Sequence, residues 1–166
     1  QAEGHTHADA VLGDFSIGDR GLGDLALKPD AKHFVVIEAK MYSGLSMRTT
    51  HAPGYDQAAR MAVCLAEALH LAGKTPDAME DIALILVAPK EQIDRGVFGD
   101  LMTRESIERK VRNRMDRYDG DKTEWHHGWF LPMMRKVRLE TVAWEHVLDS
   151  ICHSDAETGA SYVAFY

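Results

Sequence analysis

The chain has 166 residues, 45% of them hydrophobic and 27% charged, with a formal net charge of −7. That length suits one domain able to bury a substantial core, and no apolar run reaches the roughly 18 residues of a transmembrane helix, so no membrane partner is expected. The acidic balance argues against a general nucleic-acid binder, whose affinity comes from Lys and Arg, although a local basic surface suffices.

The amino terminus, QAEGHTHADA, lacks a basic region followed by an apolar core, so no secretory signal is predicted. Residues 9–17, 24–28 and 33–40 read as three short strands. In a regular meander the strand at 24–28 turns near residues 30–31 into the strand at 33–40, which places Asp24 opposite Ile37 and Glu38. If residues 19–32 instead loop out, the first strand pairs directly with 33–40 and brings Asp9 near Lys40. Hairpin geometry favours Asp24, and Asp14 and Asp19 read as turn or surface residues. The third strand, HFVVIEAK, has four consecutive apolar residues, Phe34 to Ile37, as expected of a central strand covered on both faces. Strand periodicity places Glu38 and Lys40 on one face. The ordinary reading of such a pair is an ion pair on an exposed face, worth little in stability. At the end of a central strand, beside a second carboxylate, it suits a centre in which carboxylates hold Mg²⁺ and a lysine steadies the nucleophile or the developing negative charge.

An irregular loop follows, and Tyr55–Gly73 then reads as a helix with Ala58, Met61, Ala62, Leu65, Leu69 and Ala72 on its apolar face. Asp81–Pro89 is a second buried strand, so strand, helix and strand imply a crossover within a mixed α/β sheet. Residues 103–118 form a second helix with Ile107, Val111, Met115 and Tyr118 as its apolar stripe. Its other face carries Arg104, Arg109, Lys110, Arg112, Arg114 and Arg117. That face reads either as a phosphate-contacting surface or as a solvated face with internal ion pairs. Trp125, His126, His127, Gly128 and Trp129 read as a looped aromatic segment, able to stack on bases or to fill a core edge. Residues 137–139 read as a strand leading into a helix capped by Thr141, with Glu145 near its start. The two cysteines, Cys64 and Cys152, read as buried thiols in a reducing cytoplasm. His5 and His7, His126 and His127, and Cys152 and His153 lack standard zinc-ligand spacing.

Asp24 followed fourteen residues later by Glu38-Ala39-Lys40, at the end of an apolar strand, resembles the PD-(D/E)xK nuclease superfamily over about residues 9–90. The resemblance implies a restriction-endonuclease-like fold: an α/β domain with a mixed central sheet, an antiparallel β-meander carrying the Glu-x-Lys strand, and flanking helices. It implies Mg²⁺ or Mn²⁺ held by Asp24 (or Asp9), Glu38 and the backbone carbonyl of Ala39, with Lys40 orienting the attacking water. Gln57 occupies the place of the Gln in the Gln-x-x-x-Tyr pattern of the RecB-like branch, but Met61 stands where that branch has Tyr. Gln57 is therefore read as an auxiliary site residue without membership of the branch, or as an exposed first-turn residue. Arg109, Lys110, Arg112 and Arg114 would contact nucleic acid, DNA ahead of RNA, and many relatives act as homodimers. The family places a helix before the meander, so residues 1–166 read as a single nuclease-like domain trimmed of that helix. Two other functions fit the sequence: a catalytically inactive nuclease-fold module that binds nucleic acid or protein, and a zinc hydrolase built on the histidine pairs.

Overall fold

A computed structural model describes residues 8–18, 25–46, 48–49, 52–118 and 120–165. The apolar run after Lys32 forms strand β4 (His33–Ala39), and the run after Glu80 forms β7 (Asp81–Ala88). The two pair in parallel, from His33 opposite Asp81 to Ala39 opposite Val87. β8 (Arg138–Ala143) pairs in parallel with β7 on its far side. β1 (Ala10–Gly13) pairs antiparallel with β4, so the mixed sheet runs β1-β4-β7-β8. The parallel β4–β7 pair needs a long crossover, which α1 (Gln57–Leu71) supplies.

α1 begins at Asp56, whose Oδ1 accepts from the Ala59 amide at 3.0 Å. Its small and apolar residues, from Ala58 to Leu69, bury against the sheet. The even-numbered residues of β4 and β7, among them Phe34, Val36, Ile82, Leu84 and Leu86, share one core with α1. Ile107 and Val111 of α3 (Arg104–Met115) join that core, as do Met133 and Met134 of α5 (Leu131–Lys136). Glu38 has the same parity as Phe34 and Val36, so strand alternation turns its carboxylate toward α1. α2 (Lys90–Asp94) follows β7, and α4 (Thr123–Trp125) precedes α5. α6 (Trp144–Ser154) and α7 (Ala156–Phe165) complete the described chain. Among the described residues no helix is long and apolar enough to cross a membrane.

The predicted meander is replaced by another pairing. β2 (Phe15–Ile17) and β3 (Leu25–Leu27) form a separate two-stranded ribbon, and β1 rather than β3 lies beside β4. The cause is the kink at Gly13–Asp14. Gly13 has φ of 133°, and a Cβ there would lie 2.1 Å from the His33 carbonyl oxygen, so only glycine brings β1 this close. Asp14 then donates its amide to the His33 carbonyl at 3.2 Å and accepts from the Lys28 amide at 2.9 Å. Its side-chain Oδ2 accepts from the Lys32 amide at 3.1 Å, tying the turn before β4. A short second ribbon, β5 (Arg48–Thr49) and β6 (Ala52–Pro53), lies in the loop before α1.

Three further expectations change. The aromatic segment is helical: residues 126–130 form a π-turn between α4 and α5, with the Leu131 amide donating to the His126 carbonyl. Pro132 lacks an amide proton and Gly128 weakens an α-helix, so a wider turn keeps the backbone paired while burying His126 and Phe130. Thr141 lies inside β8 opposite Leu86, and Ala143 occupies the cap position of α6 without a side-chain hydrogen bond. Parallel pairing with β7 extends the strand past the predicted boundary. Cys64 is exposed on α1 and Cys152 is intermediate in exposure, rather than both being buried.

Candidate functional site

The site forms where the parallel strands end, which is where open α/β sheets leave a crevice. Lys40, just past β4, is held by its backbone from two sides: its amide donates to the Val87 carbonyl at 2.8 Å, and its carbonyl accepts from Trp144 Nε1 at 2.9 Å. Its Nζ donates to Glu38 Oε1. Gln57 Nε2, from the first turn of α1, donates to that same oxygen. Gln57 is itself fixed by Ser46, whose amide donates to Gln57 Oε1 at 3.3 Å and whose carbonyl accepts the Gln57 amide at 2.9 Å.

Glu38 is 3% exposed, and its second oxygen, Oε2, is buried with no hydrogen-bond partner among the described residues. Burial pushes its carboxyl above the ordinary glutamate range; Lys40 and Gln57 pull it back, and the charge of Asp9 pushes it further up. Asp9 is exposed and immediately precedes β1. Its amide donates to the Ile37 carbonyl at 3.1 Å, and its Oδ2 accepts from the Ala39 amide at 2.7 Å. The β1–β4 pairing thus brings Asp9 to the Glu38–Lys40 end of the strand. Asp24 lies outside the described residues, and the position opposite Ile37 that the meander assigned to it is occupied by Ala10.

The structure therefore gathers Glu38, Ala39, Lys40, Gln57 and Asp9. The donor chemistry suits a hard divalent cation, which prefers carboxylate and carbonyl oxygen. The buried, unpartnered Oε2 is the acceptor that such an ion would satisfy. Among the described residues, however, no group of three or more His, Cys, Asp or Glu is arranged to hold a metal ion, so protein ligands would need supplementing by the Ala39 carbonyl, water or substrate. Among the described residues, His126 and His127 meet edge to face at 5.2 Å, and His153 Nδ1 is 2.6 Å from the Asp149 carbonyl oxygen. His5 and His7 lie outside the described residues.

The basic helix divides. Arg109 and Arg112 are exposed on α3. Arg114 is half-buried, its guanidinium 5.9 Å from the Tyr118 ring centre. Lys110, expected on the same outer surface, turns inward: its Nζ donates to Asp56 Oδ2 at 2.5 Å, and Asp56 is fully buried. A buried carboxylate needs a cationic partner more than a solvated face needs a lysine. Trp125 stacks on Phe130 at 5.8 Å, and Trp129 packs against His70 at 5.1 Å, so these aromatics serve the core edge.

Four residues at the site escaped sequence reading: Ser46, Asp56, Arg60 and Trp144. Asp56 carries a legible signal, an Asp directly before a helix. Arg60 lies one turn beyond Gln57, so it shares that helical face. Ser46 and Trp144 give no local signal, because their contacts with Gln57 and Lys40 lie 11 and 104 residues apart in the chain.

An apolar cavity of about 570 Å³ opens between β1, the β2–β3 ribbon and α1, walled by Val11, Phe15, Phe34, Met61 and Leu71 with Asp9 among them. Its walls suit an apolar group rather than a phosphate backbone. No protein-family model, curated protein or solved structure significantly matches the chain.

Proposed function

We propose that the protein is a divalent-metal-dependent nuclease with a restriction-endonuclease-like domain, hydrolysing phosphodiester bonds of nucleic acid, DNA ahead of RNA. One observation carries the reading: Glu38 is buried at the end of a central strand, with Lys40 and Gln57 on one oxygen and the other without a partner among the described residues. Burying a carboxylate oxygen without a hydrogen bond is costly, and such groups are retained where a ligand completes them.

Glu38 Oε2, the Asp9 carboxylate and the Ala39 carbonyl would hold Mg²⁺ or Mn²⁺. Bound there, the ion supplies charge stabilisation at phosphorus and lowers the pKa of a coordinated water. Lys40, its Nζ on Glu38 Oε1, orients the attacking water or stabilises negative charge developing on the phosphoryl oxygens. Gln57 fixes the carboxylate rotamer, and Ser46 fixes Gln57 through two backbone contacts. In the hydrolysis, water oxygen bonds to phosphorus, the bond to the leaving sugar oxygen breaks, and the proton lost by water is balanced by one gained by the leaving group.

Glu38→Ala and Lys40→Ala each abolish Mg²⁺-dependent cleavage of labelled DNA while leaving the circular dichroism spectrum and the cooperative thermal transition in place. Undiminished cleavage by both variants would sink the mechanism.

A binding module without catalysis is the second reading. Asp9 Oδ2 already accepts the Ala39 amide, and the described residues include no three-ligand cluster. A calorimetric titration separates the two. Saturable Mg²⁺ binding lost in Glu38→Ala supports the nuclease, and absence of binding in the intact protein, with or without DNA, favours the module.

A further inference from the structure

We infer that Arg60 forms an anion subsite beside the Glu38–Lys40 centre and binds a non-bridging oxygen pair of the substrate phosphodiester; this rests on the nuclease reading for the identity of the substrate, though not for the subsite itself. Arg60 lies three residues after Gln57 on α1, and helical side chains lean toward the N-terminus. Its guanidinium reaches back to the loop that precedes α1. Its Nη2 lies 3.4 Å from Ser46 Oγ, and the Ser46 amide donates to Gln57 Oε1. Arg60, Ser46, Gln57 and Glu38 thus form one continuous chain of contacts.

The donors of Arg60 are poorly matched. Arg60 is half-buried and its Nε is fully buried without a partner among the described residues. A guanidinium has five N–H donors in a rigid fork, and the long contact to Ser46 is a weak match for one of them. Among the described residues no carboxylate pairs with Arg60, whereas Lys110 and Lys40 each have one. The nearest carboxylate in the contact chain, Glu38, is already shared by Lys40 and Gln57. Because Nε is buried, an arriving anion meets the guanidinium through its Nη groups, whose planar edge matches a pair of phosphate oxygens. The partner is therefore an anion arriving from outside the chain, and the link from Arg60 through Ser46 and Gln57 to Glu38 makes a phosphoryl group at the centre the natural candidate.

Inorganic phosphate tests the subsite without requiring cleavage. Isothermal titration of the wild-type protein with phosphate, at ionic strength held constant with NaCl, is expected to show saturable binding. Arg60→Ala is expected to weaken it about tenfold or more, and Arg60→Lys to weaken it less, because charge remains but the fork is lost. Thermal unfolding in phosphate-free buffer checks that each variant folds; if the alanine variant does not, the comparison rests on Arg60→Lys and Arg60→Gln. Equal phosphate binding by wild type and variants, or none by the wild type, overturns the inference. A wild-type protein that binds phosphate through Arg60 yet cleaves no nucleic acid with Mg²⁺ or Mn²⁺ keeps the anion subsite and removes the nuclease reading. Where cleavage is present, Arg60→Lys should raise KM for DNA more than it lowers kcat.

Discussion

Glu38 and His126 are both buried titratable side chains, and burial disfavours the charged form of each, raising the carboxyl and lowering the imidazole. For Glu38 the shift is opposed by Lys40 and Gln57, so a polar centre survives at the strand end. For His126 burial comes first, and the charges of His127 and Arg112 push in the same direction. Its ring stacks on Phe130 at 5.4 Å with an interplanar angle of 19°, while Nε2 is buried without a partner among the described residues. The native state thus resists a proton that the unfolded chain accepts near the ordinary histidine pKa of about 6.5. Stability is therefore retained above that pH and lost as pH falls through it. His126→Phe keeps the stacked ring and removes the proton site. The variant should lose less stability than the wild type between neutral pH and about pH 5, measured by urea unfolding at each pH. Parallel losses in the two proteins would show that His126 does not drive the acid sensitivity.

The N-terminal turn of α1 joins packing to the candidate site. Asp56 caps the helix through Oδ1 and receives Lys110 of α3 through Oδ2, and the next residue is Gln57. Both partners are largely removed from water, with side chains 1% and 12% exposed. Removing one strands the other. Asp56→Ala loses a cap and leaves a half-buried ammonium unpaired, with an expected cost on the order of 3–5 kcal/mol. Adding Lys110→Met to Asp56→Ala should recover a large part of that loss, since the unpaired charge disappears while the stem still packs. A urea-denaturation double-mutant cycle measures the coupling, and additive losses would mean that the two groups do not act as a pair. Because Asp56 orients the turn that carries Gln57, the α3 contact also bears on the grip of Gln57 on Glu38.

Across the whole molecule, a net charge of −7 coexists with a local basic face, and Arg109 and Arg112 are the exposed residues of that face predicted to meet nucleic acid. If they contact phosphates, Arg109→Gln and Arg112→Gln together should weaken DNA binding similarly across sequences. Each lost contact should also make the slope of log affinity against log salt shallower by about one. Fluorescence anisotropy with a DNA duplex over a range of NaCl concentrations, in Ca²⁺ to suppress cleavage, measures both quantities. An unchanged slope would assign these arginines to solubility alone. Lys110 stands outside this set, because its charge is committed to Asp56.

Elements with strong local periodicity are legible in the amino-acid order alone. The apolar runs of β4 and β7, the small-residue face of α1 and the stripe of α3 as far as Met115 follow from side-chain alternation and helical spacing, whereas Tyr118, expected on that stripe, lies past the helix and is exposed. The alternation that puts Glu38 and Lys40 on one face is equally local. Pairing is not local. Hairpin spacing favours a meander with Asp24 beside Glu38, but the Gly13 kink and the Asp14 contacts direct the chain into a ribbon and leave the place beside β4 to β1. The same limit applies to Lys110, whose helix face can be drawn from spacing but whose partner, Asp56, is 54 residues away. Composition and periodicity by themselves determined the α/β class, the central strand and its charged end. Only the tertiary structure decided that Asp9 joins that end, that Lys110 turns inward and that Arg60 meets Ser46, because strand register and side-chain pairing depend on contacts between distant parts of the chain.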